Sequence, residues 1–283
     1  MNSRSVGIHV SIAESIDLAV DRATQVGCAG TFQIFTCSPR RWAAKTLDES
    51  QIHLFQEKAH KAKFKPFAHM PYMPNLSSPD EKFYTESVDV LIREIQRCSS
   101  LGIRGFVVHF GSHMGSSIEE GHKRIALACK KAISATEKCD VRILLENSAG
   151  VRNSVGSRFE YIRSVLDLIS DDKRTGVCFD TCHAFASGYD LKTFEAAQST
   201  IENFDRAVGM KRLFLIHVND SKGALGEASD RHEHIGLGNI GDAGFRAFFA
   251  LKEVRNVPLI LETPIDSNRD DKQDVAHVWK LVS

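Results

Sequence analysis

The sequence lacks an excess of charge of either sign: 36 Lys and Arg stand against 36 Asp and Glu. Net charge alone therefore gives no ground for a nucleic-acid partner, and a positive surface would have to come from uneven placement or from bound cations. There is no Cys-x-x-Cys pair, and the seven cysteines, an odd count, are scattered along the chain. That pattern argues for reduced thiols in a cytoplasmic protein and against a disulfide framework. No stretch approaches the roughly 20 apolar residues that span a bilayer, and Met1 to Val10 lack the charged-then-apolar pattern of an export signal. The sequence therefore points away from a membrane role. No linker-like or low-complexity segment interrupts the chain, so residues 1–283 read as one domain.

What is present is a repeated alternation. Eight short apolar runs stand out: Val6–Val10, Thr31–Phe35, Pro66–His69, Gly105–Phe110, Val141–Glu146, Gly176–Asp180, Leu213–Val218 and Val257–Glu262. Most are apolar almost throughout, as expected for parallel strands buried on both faces. Amphipathic helical stretches lie between them, with Ile16, Ala19, Val20, Ala23 and Val26 on one face of Glu14–Val26, and Val88, Leu91, Ile92 and Ile95 on one face of Pro79–Cys98. Helix starts are signposted by Ser78-Pro79-Asp80-Glu81 and by the three-residue offsets Thr46…Glu49, Ser117…Glu120 and Ser157…Glu160. Further helices are expected after Asp190, Gly241 and Asp270. Eight βα units of this kind predict an α/β fold, a (β/α)8 TIM barrel. A doubly wound open sheet is the competitor, and no Gly-x-Gly-x-x-Gly follows a strand to support it.

The chemistry is concentrated where the runs end. His69, His109, Glu146, Asp180, His217 and Glu262 lie at or near the ends of six of them, and in a barrel those ends converge on the face that builds active sites. His183, three residues beyond Asp180, and the pair Asp230 and His232 follow in loops. A single residue of this kind is more often a cap or hydrogen-bonding group than a ligand. Nine at one rim are different, because four crowded carboxylates need cations to coexist. Mixed imidazole and carboxylate ligation suits zinc, with manganese or iron as substitutes, and nine ligands exceed what one catalytic zinc uses. Two or three metals fit better, and such clusters suit phosphoryl hydrolysis by metal-bound hydroxide, with no Ser or Cys nucleophile required.

At these residues the sequence resembles the endonuclease IV family of abasic-site endonucleases over nearly its whole length. The resemblance rests on Gly7-Ile-His-Val-Ser11, Gln33-Ile-Phe-Thr36 with Ser38-Pro-Arg40, Leu144-Leu-Glu-Asn-Ser148, Cys178-Phe-Asp-Thr-Cys-His-Ala184, His217-Val-Asn-Asp-Ser221, Asp230-Arg-His-Glu-His-Ile-Gly236 and Leu261-Glu-Thr-Pro264. It implies three zinc ions: the first on His69, His109 and Glu146, the second on Glu146, Asp180, His217 and Glu262, the third on His183, Asp230 and His232. It implies catalytic roles for Glu146 and Glu262, and cleavage of double-stranded DNA on the 5′ side of an abasic sugar, leaving a 3′-hydroxyl, with trimming of blocked 3′ ends. It also implies that Arg40, Tyr72 and Met73 push into the base stack while the abasic nucleotide flips out, a step made cheaper by the missing base. The chain departs from the family at Glu14-Ser15, where two glycines are usual, at Phe110, where proline is frequent, and at Leu237, where a polar residue is common. The last two bear on DNA contacts or pocket shape.

The remaining histidines receive plainer readings. His9 either points into the site or packs in the core; His113 either touches phosphate or supports His109. His53, His60, His122 and His277 are expected on helix surfaces, and His234 beside the third metal. Lys58–Lys65 is expected to be a solvated face. Two other functions compete. A sugar isomerase or epimerase on the same barrel would use mostly carboxylates and one or two metals, which five histidines and the extra Asp230–His232 pair disfavour. A non-catalytic sensor of damaged DNA would not need the intact ligand set. Nothing in the sequence calls for an obligate protein partner.

Overall fold

The computed structural model describes residues 4–39 and 42–283. Its strands are β1 (Val6–Ile8), β2 (Gln33–Phe35), β3 (Phe67–His69), β4 (Gly105–His109), β5 (Arg142–Glu146), β6 (Thr175–Asp180), β7 (Leu213–His217), β8 (Asp220–Ser221), β9 (His232–Glu233) and β10 (Leu259–Leu261). Its α-helices are α1 (Leu18–Gln25), α2 (Glu49–Lys61), α3 (Glu81–Ser100), α4 (Ile118–Ala135), α5 (Phe159–Ile169), α6 (Thr181–Ala186), α7 (Phe194–Ala207), α8 (Gly241–Ala250) and α9 (Asp271–Val282). Eight strands form one sheet in the order β1-β10-β7-β6-β5-β4-β3-β2, and every pair in it is parallel. A parallel bridge between His9 and Gln33 brings β1 back to β2, with Val10 N donating to Gln33 O at 2.8 Å. The result is the expected TIM barrel.

Closure has a local cause. A Cβ on Gly7 would lie 2.2 Å from the Thr31 carbonyl oxygen, so only glycine lets the first strand approach the second this closely. Inside the barrel Val107, Leu144, Cys178, Leu215 and Ile260 form a small core, with Phe67 and Phe214 packed against it. The larger apolar cluster fills the layer between strands and helices. Among the described residues, no helix is long and apolar enough to cross a membrane.

Several local expectations shift. Ser117 caps α4 by accepting from Glu120 N, as expected, and the helix expected after Asp270 is α9, which opens on a reciprocal capping box of Asp270 and Gln273. The other caps move. Asp80, not Ser78, caps α3 by accepting from Phe83 N at 2.7 Å, while Ser78 Oγ accepts from Asp80 N in the preceding turn. Asp48 displaces Thr46 at the start of α2. In both cases a carboxylate closer to the helix wins, because it gains from the helix dipole as well as the hydrogen bond. Helix α5 starts after Arg158, without a side-chain cap, not after Ser157. Helix α1 is shorter than Glu14–Val26 because Glu14 has φ 71°, a left-handed conformation in which glycine is unstrained. Of the two positions in this turn, Glu14 and Ser15, only the first has such a conformation.

Candidate metal centre

The barrel brings the strand ends to one rim. Register sets Glu146 level with His109 and Asp180 level with His217. The second of these needs an irregularity: between Val177 and Cys178 the pairing with β7 skips a residue, Phe214. Without that slip Asp180 would face Ile216, and a one-residue change of register turns a side chain to the opposite face. Two of the residues expected in loops are on regular elements instead. Asp180 caps α6 by accepting from His183 N at 2.7 Å, which places His183 on the first turn of that helix. His232 lies on β9, in an antiparallel ribbon with β8 where Ser221 faces it.

All nine side chains singled out for metal ligation meet. They fall into three groups whose donor atoms lie within 4.8 Å of one another: His69, His109 and Glu146; Glu146, Asp180, His217 and Glu262; and His183, Asp230 and His232. Glu146 joins the first two. Its Oε2 is 3.2 Å from His69 Nε2 and 3.6 Å from His109 Nδ1, and its Oε1 is 3.1 Å from His217 Nδ1 and 3.3 Å from His183 Nδ1. His217 Nδ1 is also 3.2 Å from Glu262 Oε2. In the third group His183 Nε2 lies 3.0 Å from Asp230 Oδ1 and 3.4 Å from His232 Nε2.

Oxygens outside the donor sets fix the imidazoles. The carbonyls of Met70, Asn147 and Glu262 accept from Nδ1 of His69, His183 and His232 at 2.7, 2.9 and 3.0 Å. Gln33 Oε1 accepts from His217 Nε2 at 2.9 Å. Each bond takes one ring N–H and turns the opposite nitrogen, with its lone pair, toward the cluster, the arrangement metal-bound histidines require. The carboxylates are held similarly. Asn219 Nδ2 donates to Asp180 Oδ2 at 2.6 Å, while its Oδ1 accepts from Glu262 N at 2.8 Å. Gln33 Nε2 donates to Glu262 Oε1 at 2.6 Å.

Charge points the same way. Among the described residues no Lys or Arg pairs with Glu146, Asp180, Asp230 or Glu262; their only ion-pair partners are histidines. Burial alone would raise the pKa of Glu146 and Glu262, but the histidines around them hold both well below the usual carboxylate range. For Asp180 burial prevails, and its pKa stays above the usual value despite His183 and His232. Burial lowers the pKa of His183 and His217, yet nearby acidic groups, Asp180, Asp230 and Glu146 for the first and Cys178, Glu262 and Glu146 for the second, raise both well above the usual value. A set of carboxylates, two of them fully buried, balanced only by imidazoles is one that divalent cations fit.

Beyond the donors, Tyr72 is 66% and Met73 39% exposed, in the loop after β3. The Tyr72 ring is 6.2 Å from that of His69 and 5.2 Å from that of Phe35. Both line a groove of about 530 Å³ with His109 and Asp230. Arg40 lies outside the described residues. His9 points into the site, 3.0 Å from Gln33 Nε2. His234 does not reach the third group: its ring is fully buried between Asp274 and Asp266, at 2.6 and 3.0 Å. His122 is buried and bonded to the Val155 carbonyl at 3.1 Å, not on the surface, because Tyr161 packs beside it. Phe110 is fully buried in the core against Gly156 and does not line the groove, whereas Leu237 is exposed. Nothing in the sequence by itself assigns a role to Gln33, Asn147 or Asn219, which hold Glu262, His183 and Asp180. They sat inside the quoted motifs, and only their position beside the donors could have singled them out.

The family model described as a xylose isomerase-like TIM barrel, AP endonuclease 2, matches residues 20–280. A probable endonuclease 4 of Methanoculleus marisnigri is 47% identical over 277 residues, 98% of each chain. Among solved structures, the endonuclease IV of Thermus thermophilus superposes with a TM-score of 0.86 at 32% identity, over 98% of each chain. A D-tagatose 3-epimerase-like protein superposes with a TM-score of 0.75 at 20% identity, over 98% of this chain and 96% of that one. This last likeness is one of fold alone.

Proposed function

The chain belongs to the endonuclease IV family of metal-dependent nucleases, and on that premise we propose that it is a DNA-repair hydrolase acting through three zinc ions. It cuts the phosphodiester bond on the 5′ side of an abasic sugar in double-stranded DNA, leaves a 3′-hydroxyl and trims blocked 3′ ends. One observation carries the reading: nine imidazoles and carboxylates meet in three groups, with no Lys or Arg paired to their carboxylates among the described residues. His69, His109 and Glu146 would hold the first ion, Glu146, Asp180, His217 and Glu262 the second, and His183, Asp230 and His232 the third. Five imidazoles with four carboxylates suit zinc, and manganese or iron could substitute. When bound, such ions supply a water acidic enough to ionise near neutral pH and positive charge opposite the phosphate oxygens.

The chain's own residues divide the remaining work. Glu146, fully buried, offers both oxygens and so ties two groups into one centre. Glu262 has one oxygen engaged by Gln33 and is more open than Glu146 or Asp180. That position suits it to orient an attacking water and accept its proton. Tyr72 and Met73, exposed beside the centre, would fill the gap left in the base stack, with Arg40 as a third wedge.

The test is a nicking assay with the metal-loaded protein, a duplex carrying one abasic site, end-group analysis of the products and zinc quantification on the same sample. A single nick with a 3′-hydroxyl and about three zinc ions per chain is expected. A stable complex without a nick in the presence of zinc would overturn the reading in favour of a sensor. One or two ions with turnover of a ketose would overturn it in favour of an isomerase.

A further inference from the structure

The opposite face of the barrel carries a second cavity, about 540 Å³ in volume, whose walls include Phe64, Lys65, Phe67, Arg104, Arg142 and Phe214. It lies where strands begin: Phe67 and Arg142 open β3 and β5, and Phe214 is the second residue of β7. Two glycines make room for its floor. A Cβ on Gly105 would lie 2.4 Å from the Phe67 ring, and one on Gly176 would lie 2.4 Å from the Phe214 ring. Both rings therefore turn inward against the barrel core. Phe214 is also the residue that the β6–β7 pairing skips.

Arg142 lies over this floor, its guanidinium carbon 3.8 Å from the centre of the Phe214 ring. Among the described residues its only side-chain hydrogen bond runs from Nε to the Lys173 carbonyl, 3.1 Å, and no carboxylate pairs with it. Half-buried Arg93, Arg124, Arg212 and Arg269 pair with Glu94, Glu81, Asp172 and Asp274, and Arg174, which also has no carboxylate partner among the described residues, is instead bonded to the Val141 and Thr136 carbonyls and the Thr136 hydroxyl. The cavity walls hold three cations and no carboxylate. Asp140, highly exposed, engages Arg104 at 3.4 Å. On a chain of zero net charge this is a local positive surplus above an apolar, aromatic floor.

We propose that this cavity is a binding site for a small ligand that joins a flat ring to a phosphate, of the size of a nucleoside monophosphate. Phe67, and the part of Phe214 that Arg142 leaves uncovered, take the ring edge-to-face. The terminal nitrogens of Arg142, preorganised by the stack, take the phosphate in the two-pronged geometry that guanidinium favours, with Lys65 adding charge. The volume is within the range such ligands occupy. The inference does not rest on the nuclease reading. Its rival is that Arg142 merely plugs the base of the barrel, the end where barrel residues usually serve stability.

Calorimetric titration of the metal-loaded protein with dAMP separates the two, with deoxyadenosine and inorganic phosphate as partial probes. One saturable site is expected, with each partial probe at least about tenfold weaker and with Arg142→Met or Lys65→Glu weakening dAMP by about tenfold or more. Both variants are expected to nick an abasic duplex at the normal rate. Lys65 is exposed, so Lys65→Glu decides the matter if Arg142→Met fails to fold. Absence of saturable dAMP binding overturns the proposal, as does binding that neither substitution weakens, which would place the nucleotide at the metal rim. Phosphate binding as tightly as dAMP would overturn the role of the rings.

Discussion

Glu262 has one oxygen committed to Gln33 and the other 3.2 Å from His217, so an isosteric change at this position tests chemistry with little disturbance of shape. In Glu262→Gln the amide oxygen can still accept from Gln33, but the negative charge and the proton-accepting oxygen are gone. The expected outcome is a fall in turnover of about 10²–10⁴, the range typical of general acid–base groups, with the thermal melt and the affinity for an abasic duplex nearly unchanged. Steady-state nicking rates beside a binding curve check this, and near-normal turnover removes Glu262 from the mechanism. The same residue-scale view explains why Asn219 belongs with the donors although it is not one of the nine. It spans Asp180 and the Glu262 backbone and so fixes the distance between two carboxylates that repel each other.

At the scale of elements, the third donor group depends on the β8–β9 ribbon and the loop beyond it. Asp220 on β8 is fully buried, and its carboxylate accepts from five backbone amides: Ser221 and Ile240 at 2.8 and 2.9 Å, and Gly236, Gly238 and Gly241 at 2.9, 3.0 and 3.2 Å. Gly238 must be glycine, because a Cβ there would lie 2.5 Å from Asp220 Oδ1. Removing the carboxylate in Asp220→Ala strands several of these amides, at about 1–3 kcal/mol for each that finds no water. We expect a loss of roughly 2–4 kcal/mol in chemical denaturation on that basis. We also expect the loss of about one zinc ion per chain, because His232 sits on the strand that pairs with β8. Full zinc content in a destabilised Asp220→Ala protein would show that the ribbon holds His232 without this loop.

At the scale of the molecule, the rim is a set of charges that the fold tolerates only when they are compensated. In metal-free protein the imidazoles provide the compensation. The raised values of His183 and His217 mean that their contribution is complete below the ordinary 6.5 and is lost as pH rises through the folded values. The lowered values of Glu146 and Glu262 mean that theirs is present above the ordinary 4.5 and is lost as pH falls through the folded values. Bound cations reverse the first of these trends, since ligands must shed their protons to bind. Chelator-treated protein should therefore lose melting temperature as pH rises from about 6.5 to 9, while the gap between metal-loaded and metal-free protein widens. Thermal melts with and without chelator across that range test this, and a gap that narrows with rising pH would contradict it.

Much of this molecule was legible in one dimension. The eight apolar runs, the helices between them and the nine donor residues all follow from side-chain type and period, because burial on both faces selects a strand's composition and a barrel gathers strand ends whatever its details. The role of Gly7 in closing the barrel was not legible, because it rests on the approach of the Thr31 carbonyl. Other features could not be read from local pattern. The slip at Phe214 that levels Asp180 with His217 and the pairing of His234 with Asp266 and Asp274 depend on contacts between residues more than thirty positions apart, and the ribbon that carries His232 depends on the pairing of Asp220 and Ser221 with Glu233 and His232. The cavity at the base of the barrel, where Arg142 meets Phe214, depends on distant contacts as well. Sequence determined which groups were available and to which face they would be delivered. Tertiary structure alone decided which atoms face one another, because register and side-chain direction are set by long-range packing.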